Sequence, residues 1–540
     1  MKKLLLLGLL LILGIAPVAA QEDQPPSQTH WWNDRVFYEL FVRSFYDSDG
    51  DGIGDLQGVI QKLDYLNDGD PNTTTDLGVT GLWLMPIMQS PSYHGYDVTD
   101  YRTIEEDYGT NEDFRQLMEA AHARGIAVII DFVANHTSSQ HPWFLASDDD
   151  DPAYKDWYLW SATDPNYNGP WNQEVWHRAG NEYYYGIFWG GMPDLNYTNP
   201  EVTDEMYDSA RFWLEDMGAD GFRVDALRHI VEEGRIQADT PSTIEWSADF
   251  NDYITSISPN SLMVGEVWTT SYIAAQFLEA GSADLVFEFD FASAMVASAA
   301  AGSRNAVESL ANRVNDLYPN GQYAAFLTNH DQNRVMNELR GNIGRAQVAA
   351  SLLLTNRGVP FLYYGEEIGM VGAKPDERIR TPMQWDATEA TAGFTVARRP
   401  WEALQNDYAE VNVAALTDDP DSLLSTYRDL IHLRNAHIAL RQGDYIPVES
   451  SSRSVYSFIR QHADSDETLL VVINLDDEAV SDYTLTLEEG TFTDVTDEMI
   501  YGEGDAAGLI VNAAGGFDDY TPLPQLAPFS TTIIRLADSD

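Results

Sequence analysis

Four apolar runs in this chain stop at residues able to do acid, base or nucleophilic chemistry. GIAVIIDFVANH (125–136) ends in Asn135-His136, and GFRVDAL (221–227) carries Arg223 and Asp225. LMVGEVW (262–268) carries Glu266, and YAAFLTNHD (323–331) ends in His330-Asp331. A charge placed directly after an apolar run is costly unless it is paired or used. A core salt bridge would account for one such end; four converging on one mouth point to a reaction site. No nucleophilic Ser–His pair stands out, whereas Asp225, Glu266 and Asp331 supply three carboxylates. That set favours glycoside hydrolysis, in which one carboxylate attacks and another donates and recovers the proton. Arg223 stands two residues before Asp225, so both leave the same strand face, and its charge is expected to keep Asp225 ionised. Glu266 lies between Gly265 and the apolar Val267-Trp268, surroundings that raise a carboxyl pKa and suit a proton donor.

A second constellation is DSDGDGIGD (47–55). Asp47, Asp49, Asp51, Ile53 and Asp55 fall at the oxygen-bearing places of an EF-hand calcium loop, Ile53 where a backbone carbonyl serves, with Gly52 at the turn. The last place is Gly58, where an EF-hand needs a glutamate, and the preceding VFYELFVRSF (36–45) reads as a strand. The expectation is a calcium loop that is not an EF-hand; the plain alternative is a solvated acidic turn.

Elements must hold these groups. Besides the runs at 36–45, 125–136, 221–227, 262–268 and 323–331, the chain carries GVTGLWLMPI (78–87), LVFEFDF (285–291) and GVPFLYYGEE (358–367). Near-continuous apolarity indicates strands covered on both faces, as in a parallel sheet. Amphipathic segments such as NEDFRQLMEAAHARG (111–125) and NAVESLANRVNDLY (305–318) lie between them. The alternation predicts an α/β fold, a (β/α)8 TIM barrel over 30–136 and 201–438, with catalytic groups at the strand C-termini. The interval after the third strand is too long for a connection, so 137–200 is expected to be an inserted subdomain. The short β-rich segments of 439–540 predict a C-terminal antiparallel β-sandwich.

Composition narrows the partners. With 31 basic and 86 acidic residues the net charge is −55. Such a surface repels nucleic acid and anionic membranes and suits a neutral substrate. The 14 Trp and 28 Tyr include flat rings that suit sugar faces. Residues 1–20 read as a signal peptide: Lys2-Lys3, a short apolar core, and Val18-Ala19-Ala20 before Gln21. An exported, soluble monomer is expected. It has no cysteine, so bound calcium rather than a disulfide would staple it.

DFVANH, GFRVDALRH, GEVW and FLTNHD, in that order, together with MPDLN (192–196) and GVPFLYYGEE, resemble the motifs of the α-amylase family, glycoside hydrolase family 13. The resemblance runs from about residue 30 to the C-terminus. It implies Asp225 as nucleophile, Glu266 as general acid/base and Asp331 as the third carboxylate. It implies that His136, Arg223 and His330 line the subsite of the attacked glucose and that Tyr96, in HGYD, is the stacking aromatic. It places Arg228 and His229 on the leaving-group side. Asp97 with Arg380, in RTPMQWD, matches a pair that binds the non-reducing glucose in the oligo-1,6-glucosidase branch. That branch also carries a calcium loop after the first strand. A second calcium site common in α-amylases maps to Asn135, Asp194 and the carbonyl of His229, with Glu182 as a fourth ligand.

The branch signals are mixed. RTPMQWD and the calcium loop resemble oligo-1,6-glucosidases; GEVW resembles α-amylases; MPDLN resembles an intermediate group between oligo-1,6-glucosidases and neopullulanases. Ala226, a small residue after Asp225, resembles the exo-acting relatives that cleave α-1,4 rather than α-1,6 bonds. The expected substrate is therefore starch or maltooligosaccharide, cleaved by an endo-acting α-amylase. The alternatives are an exo-acting α-glucosidase or oligo-1,6-glucosidase-like enzyme and, remotely, a non-catalytic sugar-binding relative.

Overall fold

The computed structural model describes residues 30–318 and 321–538. The expected signal peptide lies outside them. Eight strands form a closed barrel: β1 (Phe37–Leu40), β2 (Gly81–Leu84), β3 (Ala127–Phe132), β4 (Gly221–Val224), β5 (Leu262–Gly265), β6 (Leu285–Phe287), β7 (Tyr323–Ala325) and β8 (Val359–Tyr363). Each pairs in parallel with its neighbours in sequence, and β8 closes on β1 with Phe37 opposite Phe361.

The two-residue period of a strand divides these side chains between two cores. Phe37, Trp83, Ile129, Val264, Leu285, Phe287, Ala324 and Phe361 fill the barrel. Their neighbours Tyr38, Leu82, Leu84, Val128, Ile130, Phe132, Phe222 and Val224 face outward into the larger core against the helices. Both faces are covered, which is why the sequence runs are apolar throughout. Continuing the inner columns toward the strand C-termini, Phe37 is followed by Glu39, Ile129 by Asp131 and Gly221 by Arg223. All three charged residues are buried. The barrel is thus apolar below and charged above.

The strands are shorter than the apolar runs. β1 stops at Leu40 and Val42–Phe45 is a helical turn. LVFEFDF, expected as strand to 291, leaves the sheet at Phe287, and a 13-residue helix spans Phe289–Ala301. The Glu288 carboxylate caps it, accepting from Phe291 N at 3.3 Å. The alanine-rich FASAMVASAAA that follows has high helix propensity, which overrides the alternation of the phenylalanines.

Between β3 and the helix Pro200–Arg211 the chain forms a helix, Pro142–Asp148, and a three-stranded antiparallel sheet with Glu182–Tyr185 at its centre. Leu195 N donates to Asn135 O at 2.9 Å and ties this insertion to the end of β3. After the last barrel helix, Leu423–Ala436, come a five-stranded and a three-stranded antiparallel sheet. A buried arginine of the larger sheet fastens them to the barrel: Arg460 donates to Thr355 O at 2.8 Å. No helix among the described residues is long and apolar enough to cross a membrane.

Candidate active site

Arg223, fully buried on β4, is the hub of the charged layer. Its Nη1 donates to Asp225 Oδ1 at 2.7 Å and to Asp131 Oδ1 at 2.8 Å, and its Nη2 lies 2.8 Å from Glu266 Oε2. The register explains the first contacts: Asp131 stands opposite Arg223 across the β3–β4 pair. The chain then turns sharply, with Ala226 in the left-handed region at φ 49°. This turn aims Ala226 N at Glu266 Oε2, 2.9 Å away. One oxygen of Glu266 is thereby fixed by two partners.

A second set surrounds His330. Its Nδ1 lies 2.5 Å from Glu39 Oε1, and its Nε2 lies 2.6 Å from Tyr96 Oη and 3.1 Å from Asp331 Oδ2. Tyr96 donates to Asp131 Oδ2 at 3.0 Å, joining the two sets. Arg380 donates through Nη2 to Asp331 Oδ1 at 2.9 Å and through Nε to His330 O at 3.0 Å.

Burial competes with these charges. For Asp225 burial wins: it raises the carboxyl to about 6, although Arg223 pulls it down. Arg223, shared among three carboxylates, offsets that rise in part. Glu266 is raised, chiefly by burial with Arg223 opposing, in the expected direction. Asp331 goes the other way: burial opposes, but His330 and Arg380 hold it well below the carboxylate range. His330 is raised to about 9 against burial by Asp331 and Glu39.

These groups border an open cavity of about 770 Å³. Asp225, Glu266, Asp331, Tyr96, His136, Arg228, His229 and Arg380 reach its wall. Arg223 and His330 do not; both are fully buried one layer below, where they hold Asp225, Glu266, Tyr96 and Asp331. Of the two residues expected to bind the non-reducing glucose, Arg380 reaches the wall and Asp97 does not. Asp97 lies outside the wall, accepting from Ser90 Oγ at 2.8 Å and from Ser92, while Arg380 is taken by Asp331. Two nearby hydroxyls stabilise Asp97 without the arginine. Several wall residues went unnoticed in sequence: Trp171, Phe188 and Trp189 from the insertion, and His94, Lys374 and Asp376 from loops. Trp171, Trp189 and Trp268 are respectively 59%, 55% and 45% exposed. Phe289 stacks under Trp268 at 4.6 Å and 7°.

Residues 39–443 match the family description "Alpha amylase, catalytic domain", and 445–536 match "Alpha amylase, C-terminal all-beta domain". The chain belongs to the α-amylase family. It is therefore a glycoside hydrolase of family 13. It is 39% identical over 452 residues to Alpha-amylase 3 of Dictyoglomus thermophilum, covering 82% of this chain and 85% of that one. It is 32% identical over 521 residues to an Oligo-1,6-glucosidase of Parageobacillus thermoglucosidasius, covering 82% of this chain and 90% of that one. Among solved structures, the α-amylase from H. orenii superposes with a TM-score of 0.80 at 40% identity, over 93% of this chain and 99% of that one.

Family 13 enzymes often bind calcium, and two acidic sites are candidates for that ion. In the loop, one oxygen each from Asp47, Asp49 and Asp55 lies within 4.8 Å of the others. Hard oxygen ligands at such spacing fit calcium. Asp51 stands apart from this trio, its carboxylate accepting from Ile53 N at 2.7 Å. Gly52, at φ 101°, lets the turn close: a Cβ there would sit 2.8 Å from Arg399 O. At the second site Asn135, Asp194 and the carbonyl of His229 meet. The Asn135 amide donates to His229 O at 2.6 Å, its Nδ2 lying 3.4 Å from Asp194 Oδ2, and its Oδ1 faces His136 Nδ1 at 3.0 Å. Glu182, expected there, is ion-paired with Lys155 at 2.7 Å. Glu232 is the carboxyl that borders Asp194; burial and Asp194 raise it, and burial raises Asp194 to about 7.

Proposed function

We propose that the protein is an exported, endo-acting α-amylase that hydrolyses α-1,4-glucosidic bonds in starch and maltooligosaccharides with retention of configuration. The observation that carries this reading is that three exposed tryptophans line an open cavity whose wall Asp97 does not reach. A glucan can pass through such a cleft rather than end in it. Flat indole faces suit successive sugar rings.

The roles follow from the geometry and the chemistry of two carboxylates. Asp225 attacks the anomeric carbon while Glu266 protonates the departing oxygen. Glu266 then takes a proton from water, whose oxygen displaces Asp225. Asp331, kept anionic by His330 and Arg380, accepts hydroxyls of the reacting sugar and stabilises the developing positive charge. With Asp225 raised to about 6 and Glu266 also raised, the bell-shaped rate profile has its acid limb near pH 6. Calcium is proposed at Asp47, Asp49 and Asp55, supported by their convergence; when bound it supplies positive charge to an acidic turn. Export is supported by the N-terminal pattern of charge, apolar core and small residues.

The second reading, an exo-acting enzyme of oligo-1,6-glucosidase type, is favoured by the 32% identical relative of that name. Soluble starch and a maltooligosaccharide labelled at its reducing end separate the two. Rapid loss of iodine colour with mixed oligomers is expected, and isomaltose should be a poor substrate. Glucose as the first product, or comparable kcat/KM on isomaltose and maltotriose, overturns the proposal.

A further inference from the structure

Glu39 occupies an inner position of β1, opposite Trp83 on β2 and Tyr363 on β8. It is 2% exposed and does not reach the cavity wall. A buried carboxylate is retained only with strong partners, and this one faces His330, 2.5 Å from Oε1 to Nδ1. The ring is held edge-on by Trp83, 5.6 Å away at 76°, and stacked by Tyr96 at 5.5 Å and 14°. Its Nε2 faces Tyr96 Oη and Asp331 Oδ2. The other charges around it are Asp131, reached through Tyr96, and Arg380, which holds the His330 carbonyl and Asp331. Arg223 stands beyond Asp131.

We propose that Glu39 is a positioning residue for hydrolysis: it keeps His330 doubly protonated, so that both ring nitrogens donate and Tyr96 and Asp331 are aimed at the substrate from below. The proton directions then follow along the chain. Nδ1–H donates to Glu39, and Nε2–H donates toward Tyr96 Oη and Asp331. With its oxygen accepting, Tyr96 has its own proton free for Asp131, which matches the 3.0 Å contact. Asp331 is left anionic and fixed at both oxygens, by His330 and by Arg380. Without the charge on Glu39 the ring gives up its second proton at a lower pH; once it does, one nitrogen stops donating and the chain loses its direction.

The proposal rests on the hydrolase reading for its kinetic arm. Glu39→Gln keeps an oxygen for Nδ1–H and removes the charge. A neighbouring opposite charge moves a pKa by ~1–3 units, so in histidine-15N-labelled protein the His330 ring should titrate ~1–2 units lower in Glu39→Gln than in wild type. His330 is raised to about 9 with Glu39 present, so the loss of activity should be largest between pH 7 and 9. An unmoved His330 titration overturns the proposal, because a packing role would lower activity at every pH alike and leave the ring's proton in place. A second arm needs no substrate and no stable variant of Glu39. In histidine-15N-labelled wild-type protein, the resonances lost in His330→Gln should be those of an imidazolium at pH 7. A neutral ring there also overturns it. Failure of the hydrolase reading would show instead as no turnover by wild type.

Discussion

Replacing Arg223 by Gln isolates what one buried cation does for the reaction. In the wild type Arg223 touches Asp225, Asp131 and Glu266 at 2.7, 2.8 and 2.8 Å, and Asp225 sits at about 6. At pH 7 such a carboxyl is ~90% ionised. Loss of an adjacent arginine raises a carboxyl by ~1–3 units, which leaves Asp225 ~50% to ~1% ionised at pH 7. The rate at that pH should fall ~2- to ~100-fold from ionisation alone. This part of the loss has a signature: it is recovered by raising the pH, because more base restores the nucleophile. Glu266 loses the same partner and is raised as well, so the whole bell should move toward alkali. The assay is kcat/KM on maltotriose from pH 4 to 10. Removing one partner of a buried ion set costs ~3–5 kcal/mol of stability, so Arg223→Lys, which keeps the charge, serves as the control; its acid limb should stay near pH 6. An acid limb that does not move in Arg223→Gln, or that moves toward acid, refutes the electrostatic account and leaves Arg223 a packing residue.

Three further outcomes are expected. A chelator should lower the melting temperature, and Asp47→Ala with Asp49→Ala should abolish most of that response, since these two converge with Asp55; an undiminished response places the ion elsewhere. With a net charge of −55, melting temperature at saturating calcium should rise from 0.1 M to 1 M sodium chloride as the screening length falls from ~10 to ~3 Å; a fall would contradict it. Glu366 is raised by burial to about 8, with Oε1 accepting from Tyr427 at 2.7 Å. A folded pKa above the unfolded one of ~4.3 gives stability that is full below that value and lost as pH rises to about 8. Glu366→Gln should therefore flatten the decline of melting temperature between pH 5 and 8, and an unchanged slope would discount this group.

The barrel was legible because its strands are covered on both faces. Continuous apolar runs such as GLWL and AVIIDF mark where such strands lie. Their ends were harder to place. Phe287, Glu288 and Phe289 alternate like a strand, yet the chain leaves the sheet there, since the helix that follows is set by eleven residues that a strand template does not read. The insertion had no legible order. Its core is an aromatic network, with Phe144 against Tyr158, Trp160 and Tyr184, and such contacts leave no period in the sequence.

The candidate site divides in the same way. Asp225, Glu266 and Asp331 were legible because each follows an apolar run and has to be used. Asp97 and Arg380 were both placed at the glucose by resemblance, but no sequence states which of them reaches the cavity wall. Arg380 meets Asp331 because the loop that carries it passes over the end of β7. The overlooked Glu39 and Asp131 did leave a signal. Each is a single acid inside an apolar run, VFYELF and AVIIDF, at the inner position of its strand. A strand covered on both faces cannot carry such a residue to water. It has to be met inside by a cation or a donor, and here Glu39 meets His330 and Asp131 meets Arg223. An acid within a doubly covered strand is thus as strong a sign of a site as one at its end. It marks the layer beneath the substrate, which governs the charge and direction of the groups above.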